Sequence, residues 1–151
     1  MREVRDSVAH SLRTTKAEVL IWDSISRMGL GSMNSDESAN SGVDALNSLA
    51  ETWVALGHTP RDDQSHQYGS VMFQAGEDLG VSLKSQRKGN ELGVMLKITE
   101  SNDTAIPPPF FYTLHFEGSD ELSWLSKVSK ADKKDWPDLA LPPAPTREAK
   151  I

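Results

Sequence analysis

The sequence predicts an α/β fold: a parallel sheet with flanking helices, extended by an antiparallel β-hairpin region. An unbroken apolar run, Val19 to Trp22, ends in Asp23 and suits a strand covered on both faces. A second β-prone run, Thr52 to His58, follows a segment of helical spacing, and a strand, a helix and a strand in that order imply a right-handed crossover. From Leu79 onward the pattern changes to alternation in LGVSLKSQ, ELGVMLKITE and FFYTLHFEG, separated by turn residues.

The elements follow in chain order. Val4, Val8 and Leu12 recur at four-residue spacing among Arg and Asp, which predicts a surface helix over residues 2–13. Residues 27–42 are rich in Gly, Ser and Asn and read as a loop leading into a helix. Ser38 or Asn40 is the expected cap, and Val43, Leu46, Leu49 and Ala50 form the apolar stripe. After His58, the polar stretch TPRDDQSHQYGS reads as turns and VMFQAGED as a short helix. Lys88, Gly89 and Asn90 suit a tight hairpin, and Val94, Leu96 and Ile98 supply the strand alternation after it. DELSWLSKVSKADKKDW predicts a short helix, and the Pro-rich end PDLALPPAPTREAKI a flexible tail docked by Trp124, Leu125 and Trp136. The expected organisation is a core over residues 1–118 and a tail over 119–151.

Composition narrows the function classes. With 151 residues there is room for one domain of ordinary size, and with no cysteine a disulfide scaffold is excluded. No apolar run approaches the roughly 20 residues of a membrane span. MREVRDSVAHSL is charged and amphipathic rather than a signal peptide, so a cytoplasmic protein without membrane association is expected. Leu, Ile, Val and Phe make up 33 of 151 residues, little above the roughly 20% below which chains tend to disorder, so a self-sufficient core is not assured. The net charge of −6 is concentrated in residues 31–119, which hold 5 basic and 12 acidic groups. Sequence-independent binding to nucleic acid is disfavoured, because neutralising phosphate requires clustered Lys and Arg; any DNA contact must be local.

The strongest chemical feature is the pair of strand ends that present polar groups, Asp23 with Ser24 and His58 with Thr59. In an open α/β sheet the ligand crevice lies outside the carboxyl ends of the parallel strands, where these side chains face one ligand. An aspartate after a hydrophobic run is a common holder of nucleotide-bound Mg²⁺, directly or through water, though the same residue can simply cap a turn. His58, Asp62, Asp63 and His66 offer imidazole and carboxylate to a divalent metal, or form a solvated loop. Arg61, Arg87 and Lys88 are the candidate nucleic-acid contacts, and Phe110, Phe111 and Tyr112 read as strand packing before base stacking.

The succession IWDSIS, Asn/Asp/Ser loop, helix, VALGHTPRDD, YGSVMFQAGED, LGVSLK and hairpin resembles the C-terminal half of a RecA-like P-loop ATPase core. The likeness is to the branch of RepA-like hexameric helicases and KaiC-like proteins, and it covers roughly residues 15–118. The resemblance implies a Walker B strand ending in Asp23, which with Ser24 would serve ATP and reach Mg²⁺ through water. It further implies His58 and Thr59 as the catalytic sensor in a segment like HHTGKD, here GHTPRDD, and matches Gly69, Ser70 and Asp78 to a Gly-Ser pair opening a short helix before an aspartate. It implies Arg61, Arg87 and Lys88 on loops facing DNA, and partners that include further copies of the chain, a chain bearing the Walker A segment, or single-stranded DNA.

Two departures qualify those implications. The phosphate loop GxxxxGK[ST] does not occur in the sequence. By the family's strand order, the strand preceding that loop would lie between Thr52–His58 and Leu79–Lys84, so its absence leaves two edges to pair or expose. The trans-acting cation of TKNRDG-like segments is replaced by TESNDT, Thr99 to Thr104, with Glu100 and Asn102 at the cationic positions and Lys97 nearby on the face of Thr99. The expected function is therefore the distal half of an ATPase of DNA replication, recombination or repair, inactive without a phosphate loop. The alternatives are a non-catalytic oligomerising or regulatory module and, third, a metal-dependent hydrolase built on the His/Asp loop.

Overall fold

Val8 and Leu12 lie one turn apart on α1 (Arg2–Thr15) and pack against the apolar cluster beneath it. The helix ends where Lys16 takes a left-handed conformation, φ 54°, and the Ala17 amide donates back to the Leu12 carbonyl at 3.1 Å, the terminating bond of a Schellman motif. The computed structural model describes residues 2–29, 31–59, 68–119 and 122–140, with side chains from Arg5 onward. The described residues fall into two compact units, divided between Glu77 and Asp78.

In the first unit β1 (Val19–Asp23) runs parallel to β2 (Thr52–Leu56), in register from Val19↔Thr52 to Asp23↔Leu56. They are joined by a 3-10 turn (Ile25–Arg27) and α2 (Asp36–Leu49). Leu20 is buried against Ile25, Met28, Ala39, Val43, Leu46 and Phe73, with Trp22, Trp53 and Ala55 packed at the margin. Each fully buried aliphatic side chain in such a cluster contributes roughly 1.5–3 kcal/mol. The cap of α2 is Ser35, not Ser38 or Asn40. The Ser35 hydroxyl accepts from the Ser38 amide at 3.3 Å, and Asp36 and Glu37 then fall in the first turn, where the helix dipole favours carboxylates. The Trp53 indole donates to Asn47 Oδ1 at 2.9 Å and ties β2 to the helix before it. The expected helix in VMFQAGED is α3 (Met72–Ala75), with Phe73 in the core.

The second unit is an antiparallel meander, β3 (Leu79–Lys88), β4 (Glu91–Ser101), β5 (Phe110–Ser119) and β6 (Leu122–Ala131), in that spatial order. Gly89 at φ 59° opens the two-residue turn between Lys88 and Glu91, as a hairpin of that length requires. These strands do not extend the parallel sheet, as the sequence suggested. They form a sheet of their own, with β3 at its edge and bonded only to β4, its partner across the two-residue turn.

β6 replaces the short helix expected after Ser119. The backbone groups on its inner side pair along β5 from Phe111↔Ala131 to Ser119↔Leu122, which outweighs the helix propensity of its Leu, Lys and Ala. Trp136 docks as expected, 4% exposed, over Met95 and Phe111 and followed by a 3-10 turn (Pro137–Ala140) with Leu139 buried. Trp124 and Leu125 do not dock and stay about half exposed. The end of the Pro-rich tail, residues 141–151, lies outside the described residues. Among the described residues no helix is long and apolar enough to cross a membrane.

Candidate functional site

The crossover geometry decides where the predicted residues stand. Because β1 and β2 are parallel and Asp23 is the register partner of Leu56, both carboxyl ends open on one rim of the sheet. Asp23 closes β1 there, whereas β2 ends at Leu56 rather than at His58 as the sequence suggested, so His58 and Thr59 follow two and three residues beyond the strand in irregular backbone. Asp23, His58 and Thr59 are all exposed.

Strand alternation separates the two cofactor candidates. Asp23 shares the face of Val19, Ile21, Val54 and Leu56, which is open, whereas Leu20, Trp22, Trp53 and Ala55 face α2. Ser24 turns under the rim instead, 4% exposed, with its hydroxyl 2.9 Å from that of Ser26. Asp23 is thus available to a cation or water from solvent, while Ser24 is engaged within the fold.

Two loops are stitched together at this rim. The Ser70 amide donates to the Met33 carbonyl at 2.8 Å, the Ser70 hydroxyl donates to Asp36 Oδ1, and the Met72 amide donates to Ser70 Oγ at 3.0 Å. Gly69, at φ 118°, passes so close to Met33 that an added Cβ would sit 2.9 Å from its carbonyl oxygen. The Tyr68 amide donates to the His58 carbonyl at 2.7 Å. The Gly69–Ser70 pair therefore opens α3 and fixes the loop after β1. Asp36, which the sequence reading did not single out, is its partner; a contact across 34 residues leaves no periodic trace.

Other predicted residues are placed elsewhere. Asp78 belongs to the second unit, where its carbonyl and carboxylate accept from the backbone and side chain of Asn102 at 3.1 and 3.4 Å. The Arg87 guanidinium lies 5.6 Å from the Phe116 ring centroid, and its Nε donates to the Gly89 carbonyl, so it braces the hairpin tip; Lys88 is exposed beside it. Phe111 packs in the sheet, whereas Phe110 is 40% exposed. Arg61, Asp62, Asp63 and His66 lie outside the described residues. Among the described ones no group of three or more His, Asp or Glu is arranged to hold a metal.

A second polar cluster lies in the antiparallel sheet, where His115 Nδ1 is 3.1 Å from Glu91 Oε1 and Nε2 is 2.9 Å from Ser129 Oγ. The order matches a nucleophile, base and orienting acid. Its members come from β4, β5 and β6, and the Ser129 hydroxyl also lies 3.5 Å from the Thr113 carbonyl, so it is shared between the ring and the backbone rather than committed to His115. A shallow groove of about 490 Å³, lined by Leu12, Arg13, Ala17, Glu18, Leu49, Ala50, Glu51 and Thr52, lies at the opposite, amino-terminal rim.

Comparison of the chain with protein-family models, with curated proteins and with solved structures returned no match.

Proposed function

We propose that the chain is the distal part of a RecA-like, ATP-dependent DNA-handling protein, in which Asp23 and His58 form two walls of a nucleotide crevice. The observation that supports this reading is the in-register parallel pairing that ends with Asp23↔Leu56 and brings both polar tips to one carboxyl rim. In this reading Asp23 holds Mg²⁺ through water, His58 and Thr59 meet the terminal phosphate, and the Gly69–Ser70 segment keeps the loops of the rim in place. The crevice has no anion cradle of its own, because the chain contains no GxxxxGK[ST] sequence. The phosphate loop would have to come from outside these 151 residues, its strand pairing on the edge of β2 away from β1 and its helix covering Val19, Ile21, Val54 and Leu56.

The same missing loop favours a second reading, a non-catalytic module that keeps the sheet as a binding surface.

Phosphate release from Mg²⁺-ATP separates the two. The chain alone releases none, and addition of a host polypeptide bearing a phosphate loop produces release that Asp23→Asn abolishes. Release by the chain alone contradicts the proposal, and so does restored release that Asp23→Asn leaves intact. No release with any such polypeptide leaves the module reading standing.

A further inference from the structure

The antiparallel sheet has two unlike faces. Register and alternation place Gly93, Met95, Phe111, Thr113 and Ala131 on the face that Trp136 and Leu139 cover. The opposite face carries Val81 and Leu83 from β3, Leu92, Val94, Leu96 and Ile98 from β4, Phe110, Tyr112, Leu114 and Phe116 from β5, and Leu125 and Val128 from β6. Its margins are open, with Leu83 62% and Val128 54% exposed, whereas Val94 in the middle is buried and its neighbours Leu92, Leu96, Tyr112 and Leu114 are half-buried. No described segment of the second unit lies over this face in the way that Trp136 and the Pro137–Ala140 turn lie over the other.

We propose that this face is a homodimer interface, on which the same sheet of a second copy packs face to face to complete a two-layer β-sandwich. Two observations favour a second copy as occupant. The first is area: strands of 10 or 11 residues, at ~3.3 Å per residue and ~4.8 Å apart, make a face of roughly 600 Å² in projection. Side-chain corrugation brings it to the scale of a stable interface, about 800 Å² per partner. The open face of the parallel sheet, two strands of five residues, offers only roughly 160 Å² by the same reckoning and falls well short.

The second observation is charge. The whole chain carries −6, so two copies repel wherever carboxylates meet. No strand residue on this face is acidic; its charges are Arg87 on β3 and Lys130 on β6, both on edge strands. Copies therefore approach with least repulsion here, the apolar field is buried, and the two cations remain at the rim. Sheets packed in this way lie about 10 Å apart with their inner side chains interdigitated.

Molar mass by light scattering during size-exclusion chromatography tests the proposal on the full chain. Wild type should elute at twice the 16.6 kDa of one chain. Leu83→Glu and Val128→Glu, at positions exposed in the single chain, should keep the far-ultraviolet spectrum and elute as monomers. Each buries a carboxylate twice by symmetry, weakening association on the order of 100-fold. Ile21→Glu, on the parallel sheet, should remain dimeric. A wild-type monomer at millimolar concentration overturns the proposal. So does a dimer that survives both substitutions, one dispersed by Ile21→Glu, or a wild-type chain that leaves the column only with a different, acidic protein bound.

Discussion

The indole N–H of Trp136 donates to the hydroxyl of Thr113 at 2.9 Å, a bond between two buried side chains that anchors the segment after β6 onto the covered face of the sheet. Trp136→Phe keeps most of the ring volume but leaves the Thr113 hydroxyl without its donor. The expected loss is about 2–3 kcal/mol in a denaturant melt. The companion Trp136→Phe/Thr113→Val should recover part of that loss, because neither polar group then remains unpaired.

Gly93 belongs to the same arrangement. A Cβ on it would lie 2.1 Å from Cδ2 of Trp136, so the ring must move for any other residue to fit. Gly93→Ala should cost about 1–3 kcal/mol. It should also shift Trp136 emission to longer wavelength, which a substitution on the open face, such as Leu83→Ser, should not do.

The parts of this fold legible in the sequence are those specified by neighbouring residues. Val8 and Leu12 announced α1, the run from Val19 to Trp22 announced β1, and Lys88-Gly89-Asn90 announced the β3–β4 hairpin, because periodicity and turn chemistry are local. β6 was not legible: Ser, Lys, Leu and Ala tolerate either backbone, and pairing with β5, a tertiary event, decided the outcome. The division into two sheets was hidden for the same reason, since no local signal says that β3 will pair only with β4. At the rim, Asp23 and His58 could be read as strand-end groups. The different fates of Asp23 and Ser24 follow from packing around the Ile25–Arg27 turn, and Asp36 is joined to Ser70 only by the folded chain.

At the rim itself, Ser70→Ala removes the hydroxyl that donates to Asp36 and accepts from the Met72 amide. A loss of about 1 kcal/mol is expected, small because the Asp36 end is open to solvent. Asp36→Asn keeps an acceptor and should cost less than Ser70→Ala. Equal losses would show that charge rather than hydrogen bonding holds the two loops.

Lys16 is a non-glycine residue in the left-handed region at the end of α1. The backbone cost of about 1–2 kcal/mol for such a residue exceeds the extra chain entropy of glycine, roughly 0.5–1 kcal/mol. Lys16→Gly should therefore stabilise the protein by about 0.5 kcal/mol, visible as a higher melting temperature, whereas Lys16→Val should lower it.

The central proposal, that Asp23 and His58 flank one nucleotide crevice, is tested most directly by paramagnetic broadening in the amide spectrum of the labelled chain mixed with the polypeptide that bears the phosphate loop, Mn²⁺ and a non-hydrolysable ATP analogue. The account predicts that the signals of Asp23, Ser24, His58 and Thr59 broaden together and that Asp23→Asn abolishes the effect, while Glu18 and Thr52 at the opposite rim keep their linewidths. Broadening at only one of the two strand tips, or centred on other residues, would contradict it.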